Sequence, residues 1–257
     1  MTPFTPIGDA DFHAFRRDGH LLVKAALGDA LRVRLESAVD ELYAKASREG
    51  GLGPDGSMRT AGVLGDGEFA ELLDLPTVFP HIWGHLGWNI VIDHSHVKVD
   101  PPSAGRTLAR LRDGQGRDAR PLLAIDVGYV LGGRAQDGHG ATLVIPAEGR
   151  EVLEITAEPG DAFLLDRRLW HSRPDHRSTT TRKMIFVGYT YRWIRTRDDA
   201  GRGGASIETM SPLRRQLLGH GAEPASALGI TAEPRAGDED IPLRAELKRR
   251  GLLDRPR

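Results

Sequence analysis

The sequence has no cysteine, almost no net charge and no long hydrophobic run. With 0 Cys among 257 residues, disulfide bonds, thiolate metal sites and a cysteine nucleophile are excluded. A formal net charge of −1 gives no reason to expect binding to nucleic acid or to an anionic membrane. The first residues, MTPFTPIGDADFHAF, lack the basic start and apolar core of a signal peptide, and no run could span a bilayer. A cytoplasmic protein is therefore expected.

Short apolar runs and turn residues predict helices first and strands afterwards. The length suits a single domain over 1–257. One amphipathic helix is predicted over 29–47, and the Gly-rich stretch 50–66 predicts a loop. The predicted strands are 20–24, 90–99, 122–131, 141–145, 152–156, 162–165 and 183–191. This order predicts an α+β, mainly β fold: a double-stranded β-helix (jelly roll) core with helices packed outside.

The stretch 159–193 has the strongest functional pattern. A buried strand is predicted at 162–165, His171 follows soon after its end, and Arg182 begins the next strand. A histidine and an arginine at two strand ends can point into one cavity. The simpler interpretation is a hydrogen-bonded core histidine and a surface arginine, because buried histidines usually have partners without any chemistry.

The segments FHAFRRDGHLLVKAAL, HSHVKVDPP and EPGDAFLLDRRLWHS resemble phytanoyl-CoA dioxygenase-like proteins. These are Fe(II)- and 2-oxoglutarate-dependent oxygenases with a jelly-roll fold. The resemblance implies that His171 is the distal metal ligand and that Arg182 binds the far carboxylate of 2-oxoglutarate. Both residue types suit these roles, because imidazole is a good ligand for Fe(II) and a guanidinium binds a carboxylate at two points.

The proximal metal motif of these proteins, His-x-Asp or His-x-Glu, is missing. None of the 10 histidines has an acidic residue two positions later. In the resemblance, Leu111 stands at the histidine position and Asp113 matches the carboxylate. A facial triad needs two histidines and one carboxylate, so only Asp113 and His171 are implied as metal ligands. The metal site is therefore expected to be degenerate.

Asp126 is a second departure, because relatives often carry a lysine in this strand. Strand alternation places Asp126 on the same face as Ala124 and Gly128. That face is either a cavity wall or a solvated outer surface, and the sequence leaves both open. On a cavity wall, the carboxylate would repel a dianion unless a cation such as Arg182 offset it.

Other residues are candidates for the same pocket. His94 and His96 share one face of a strand, and His139 precedes another strand, so each could replace the lost ligand. Two aromatic residues, Tyr129 and Trp170, complete the candidate pocket.

Three functions fit these observations. The first is a small-molecule-modifying enzyme, as in bacterial secondary metabolism, that has lost its metal and works without a cofactor. Asp113, Asp126 and His171 would then act in acid–base catalysis of a cyclase, isomerase or lyase reaction, with Arg182 as substrate anchor. The second is an Fe(II)/2-oxoglutarate-dependent dioxygenase (hydroxylase) with a non-standard ligand set. The third is a non-catalytic small-molecule-binding protein. The sequence leaves the oligomeric state open.

Overall fold

The computed structural model describes residues 2–65, 67–102, 121–133, 142–145, 152–172, 180–196, 207–220 and 241–253. The predictions for Leu111, Asp113 and His139 lie outside these described residues. Within the described ranges, no helix is both long and apolar enough to cross a membrane.

Helices begin and end the described chain. The α-helices are α1 (Asp9–Asp18), α2 (Asp29–Arg48), α3 (Phe79–Leu86), α4 (Pro212–Leu217) and α5 (Pro242–Arg249). Short 3-10 helices cover Val63–Gly65, Gly67–Asp74 and Ile207–Thr209. Helix α1 ends at Gly19, whose φ of 75° lies in the left-handed region that glycine adopts without strain.

The described strands form two antiparallel sheets. They are β1 (His20–Val23), β2 (Met58–Ala61), β3 (Ile90–Asp100), β4 (Ala124–Gly132), β5 (Thr142–Ile145), β6 (Leu153–Ile155), β7 (Ala162–Asp166), β8 (Trp170–Ser172) and β9 (Arg182–Tyr191). The major sheet has the order β1-β7-β4-β9-β3-β2, and the minor sheet β6-β5-β8. The predicted mixture of helices and mainly antiparallel sheet is confirmed, although the sheets of the described chain do not close into a barrel.

The two faces of the major sheet have different neighbours. Val127 of β4 packs on the helix side, in the same core as Leu35 of α2. Val130 of β4 and Met184 of β9 instead pack with Ile155 of the minor sheet. We call the face that carries Val130 and Met184 the inner face. A space between two sheets with opposed inner faces is where a jelly roll holds its ligands.

Two strands were not predicted from local pattern. Strand β2 lies in the stretch expected to be a loop, and it pairs with β3 at the edge of the major sheet. Strand β8 covers only three residues and pairs with β5. Both are short, and their conformation is supplied by hydrogen bonds to a longer partner strand rather than by their own sequence.

Asp161 fastens the start of β7 to the turn after β1. Its Oδ1 accepts a hydrogen bond from the backbone N–H of Ala25 at 2.9 Å. Its Oδ2 accepts from the backbone N–H of Glu158 at 2.9 Å and from Lys24 Nζ at 2.8 Å. Burial by itself would raise the pKa of Asp161. The hydrogen bonds from Lys24 and from the two backbone N–H groups lower it by a larger amount, so the pKa ends below its ordinary value.

Replacing Asp161 with Asn should lower the free energy of unfolding by about 1–3 kcal/mol at neutral pH. Because the folded-state pKa is depressed, the carboxylate stabilises the protein above its unfolded-state pKa, and this stabilisation is lost as pH falls through the folded-state value. Urea unfolding at a series of acidic pH values should show that the difference in the free energy of unfolding between wild type and D161N becomes smaller as the pH falls. The exposed Asp9→Asn is the control. A difference that does not change with pH would contradict the role of the ionised carboxylate.

Candidate functional site

The inner face of the major sheet carries four of the predicted site residues. On β3, alternation and register place His94 and His96 there, together with Asp100, which lies opposite Arg182 of β9. On β4, Asp126 faces the same side, and its side chain is 19% exposed. Of the two faces left open by the sequence, the register therefore places Asp126 on the one turned towards the minor sheet and not on an outer surface.

Arg182 is an almost completely buried cation with unused hydrogen-bonding capacity. The residue is 3% exposed, and its Nη2 donates to Asp100 Oδ2 at 2.8 Å. Its Nε and Nη1 are buried and have no hydrogen-bond partner among the described residues. The two hydrogens of Nη2 lie on different edges of the guanidinium. Asp100 accepts one of them, so the other edge remains complete for a two-point contact with an anion.

His171 lies on the minor sheet and faces the major sheet. In the register it lies opposite Val144 of β5, which lies opposite Leu153 of β6. Alternation puts Leu153 and Ile155 on one face of β6, and Ile155 packs against the inner face of the major sheet. The backbone register therefore places His171 on the side of β8 that is turned towards the inner face.

A backbone contact sets the tautomer of His171. Its Nδ1 is 3.0 Å from the carbonyl oxygen of Leu169. A carbonyl oxygen can only accept a hydrogen bond, so Nδ1 carries the proton in the neutral ring. The lone pair then lies on Nε2, which suits a metal ligand or a proton acceptor.

Two residues that the sequence reasoning missed, Asp93 and Arg167, join the predicted ones in a charged cluster. Arg167 donates from Nη1 to Asp93 Oδ2 at 2.7 Å and from Nη2 to Asp126 Oδ1 at 2.6 Å. His94 Nδ1 lies 3.1 Å from Asp93 Oδ2. Burial lowers the pKa of Arg167, but Asp126 and then Asp93 raise it more, so the net shift is upwards. The cluster thus holds a firmly charged guanidinium between two carboxylates.

The structure separates the remaining candidates from this face. Tyr129 is buried on the opposite face of β4, in the core shared with the helices, where burial raises its pKa. Trp170 is 42% exposed, and alternation along β8 places it on the other side from His171. His96 does belong to the inner face, where its ring stacks on Phe186 at 4.9 Å between centroids.

The described residues contain no group of three or more His, Asp or Glu side chains arranged to hold a metal ion. His171 is the described member of the implied ligand pair. Its implied partner, Asp113, lies in the stretch 103–120, outside the described residues.

The fold, with the imidazole of His171 on one sheet and the buried guanidinium of Arg182 on the other, is similar to that of solved Fe/2-oxoglutarate-dependent oxygenases. HygX from Streptomyces hygroscopicus, with nickel and 2-oxoglutarate bound, is similar with a TM-score of 0.62 at 12% identity, covering 78% of this chain and 95% of that one. SnoK, a non-heme alpha ketoglutarate dependent carbocyclase from nogalamycin biosynthesis, has a TM-score of 0.61 at 14% identity, with coverages of 82% and 93%. EctD from S. alaskensis has 0.61 at 18% identity, with coverages of 78% and 82%.

These likenesses establish the fold. No protein-family model and no curated protein sequence matches the chain. The fold is therefore shown by structure alone, and the narrower phytanoyl-CoA dioxygenase-like assignment remains a prediction.

The expectation that the site works without a cofactor is corrected by the same structures. HygX is known with iron bound and with nickel and 2-oxoglutarate bound, so the fold is one that holds a metal and a keto acid. The prediction treated the missing imidazole at Leu111 as the loss of all cofactors. It assigned Arg182 to a substrate anion, although the Nε and Nη1 of Arg182, which have no partner among the described residues, could equally bind a keto acid.

Proposed function

We propose that the chain is an Fe(II)- and 2-oxoglutarate-dependent enzyme that oxidises a small molecule. The observation that carries this proposal is the guanidinium of Arg182 on the inner face, whose Nε and Nη1 are buried and have no hydrogen-bond partner within the described ranges. A carboxylate is the planar anion that matches a guanidinium edge with two parallel hydrogen bonds. Burial excludes water as a competitor and strengthens both bonds.

The charges around Arg182 also suit an anion. Lys98 Nζ lies 2.9 Å from Asp100 Oδ1, on the carboxylate that also contacts Arg182. Among the described residues, two cations therefore share this one carboxylate, which leaves an excess of positive charge in that part of the chain. 2-Oxoglutarate, which has a carboxylate at each end, would use one of them at Arg182.

His171 and Asp113 would hold the iron, through imidazole Nε2 and a carboxylate. Fe(II) and 2-oxoglutarate together supply a two-electron oxidation by O2 in which the keto acid becomes succinate and CO2. The chain itself fixes the imidazole through Leu169 and orients the dianion through Arg182. The apolar cluster between the sheets, which includes Phe163, limits access of water to this space.

The substrate is proposed to be a small molecule of secondary metabolism. SnoK, which has a similar fold, is an alpha ketoglutarate dependent carbocyclase from nogalamycin biosynthesis, so we propose ring closure as one candidate reaction beside the hydroxylation expected from the sequence. We also propose that residues 1–257 form a single phytanoyl-CoA dioxygenase-like domain.

Anaerobic calorimetry tests the proposal directly. Wild-type protein should bind Fe(II), or Ni(II) as a redox-inert substitute, and should bind 2-oxoglutarate more tightly with the metal present. His171→Ala should weaken metal binding, and exposure of the protein loaded with both Fe(II) and 2-oxoglutarate to O2 should release succinate and CO2. Absence of stoichiometric metal and of 2-oxoglutarate binding would falsify the proposal. Binding without any succinate would contradict its catalytic half and leave a small-molecule-binding protein.

A further inference from the structure

We infer that Arg167 is a positioning residue for His171. It acts as a clamp that fastens the turn between β7 and β8 to the inner face of the major sheet. The inference deepens the proposed function, because it concerns the histidine assigned to the metal. The contacts that carry it do not depend on whether a metal binds.

The clamp spans a whole strand. Strands β4 and β3 are separated by β9 in the sheet order. Arg167 nevertheless contacts Asp126 on β4 at 2.6 Å and Asp93 on β3 at 2.7 Å. Its Nε is also 3.2 Å from Asp126 Oδ1. One guanidinium therefore crosses β9 and joins carboxylates on both sides of it, which the fixed fork of arginine allows.

Gly188 of β9 makes this crossing possible. It lies opposite Asp126 on one side and opposite His94 on the other. A Cβ atom at Gly188 would lie 2.6 Å from Arg167 Nη2 and 2.2 Å from His94 Cε1. Any side chain would therefore displace the clamp, and glycine at this point reflects a close approach rather than a turn.

The turn carries the constraint from Arg167 to His171. The backbone N–H of Arg167 donates to Ala124 O at 3.3 Å, and that of Leu169 donates to Asp166 O at 2.9 Å. Leu169 is 1% exposed, and its carbonyl accepts the Nδ1 hydrogen bond of His171. Fixing Arg167 thus fixes the carbonyl that orients the imidazole.

The alternative is that Arg167 only neutralises the buried carboxylate of Asp93 and the partly buried carboxylate of Asp126. Both interpretations predict a loss of stability when it is replaced, so stability does not separate them. Lys183 offers a matched control, because its Nζ also bridges two carboxylates, Glu36 at 3.0 Å and Asp40 at 2.8 Å. Those partners belong to α2, on the other face of the same sheet, and do not contact the turn that carries His171.

Long-range 1H–15N NMR of the histidine rings tests the inference without metal, with His171→Gln assigning the signal. Wild type should show the Nδ1–H tautomer at His171. Arg167→Gln and Gly188→Ala should both give a mixture of tautomers, and Lys183→Gln should keep the wild-type pattern. Arg167→Lys, which retains the charge without the fork, should lie between them and provides the measurement if R167Q does not fold. A wild-type tautomer in R167Q, R167K and G188A would overturn the inference.

Metal binding gives a second readout. Ni(II) affinity should fall roughly tenfold in R167Q, as is usual when the support of a metal-bound histidine is lost, and should not change in K183Q. If wild type binds no Ni(II), the proposed function fails, and the NMR result alone decides the role of Arg167. An unchanged Ni(II) affinity in R167Q, with wild type binding the metal, would contradict the clamp.

Discussion

Replacing Arg182 with methionine is expected to weaken 2-oxoglutarate binding by about 100-fold or more. The substitution removes two charge-assisted hydrogen bonds, each contributing roughly 1.5–3 kcal/mol, and about 1.4 kcal/mol corresponds to a tenfold change in affinity. Arg182→Lys should fall between methionine and wild type, because an ammonium keeps the charge but has no two-point edge. Calorimetry on the metal-loaded protein measures both.

Arg32→Met is the matched control for this prediction. Arg32 is a partly buried arginine of α2 that pairs with Glu36 at 3.2 Å, on the helix side of the major sheet. Its loss should leave 2-oxoglutarate affinity unchanged. If Arg182→Met folds and binds the keto acid like wild type, the dianion binds elsewhere, and Arg182 no longer supports the proposed function.

Replacing Leu111 with histidine is expected to raise Ni(II) and Fe(II) affinity by at least about 100-fold. The change recreates His-x-Asp with Asp113, and with His171 it restores two imidazoles and one carboxylate, the ligand set that suits non-heme iron. Changes in the support of a ligand alone cost about 10–100-fold in affinity, so a ligand itself should count for more. Anaerobic metal titration measures the gain.

Two variants control for nonspecific effects at this position. Leu111→Gln introduces a polar side chain of similar size without an imidazole and should not gain metal affinity. The double variant L111H/H171A should lose the gain, because one imidazole is again missing. If L111H binds metal no better than wild type, the alignment of Leu111 with the lost ligand is wrong.

Period-two alternation accounts for most of what could be predicted about the site. Along β3 it put His94 and His96 on one face, and along β4 it grouped Asp126 with Gly128, as the register confirms. Arg182 was placed at the start of its strand, where it lies. These residues lie in long regular strands, in which the folded protein keeps the alternation of side chains that the sequence predicts.

The other residues of the site could not be predicted, because their roles depend on how neighbouring strands pair, and the sequence of a single strand does not show that pairing. The irregularity between Ile92 and His94 breaks the alternation, so Asp93 joins the cluster although its position in the sequence puts it out of phase. Arg167 becomes informative only once the sheet order places β3 and β4 on either side of β9. From the sequence alone, Gly188 is only a residue that weakens a strand. Its role becomes clear when the structure shows how closely His94 and Arg167 approach it.

Under the proposed function, the guanidinium of Arg182, which is incompletely paired in the described part of the chain, would also link the stability of the fold to 2-oxoglutarate. A buried donor without a partner destabilises the folded state by roughly 1–3 kcal/mol, more for a charged group. A dianion that binds only the folded chain relieves that penalty as part of its binding energy, and it stabilises the fold by about 2.7 kcal/mol in total when its concentration is 100 times its dissociation constant. If 2-oxoglutarate binds as proposed, thermal denaturation and proteolysis in the cell should track its supply, and the protein should persist longer where 2-oxoglutarate is abundant.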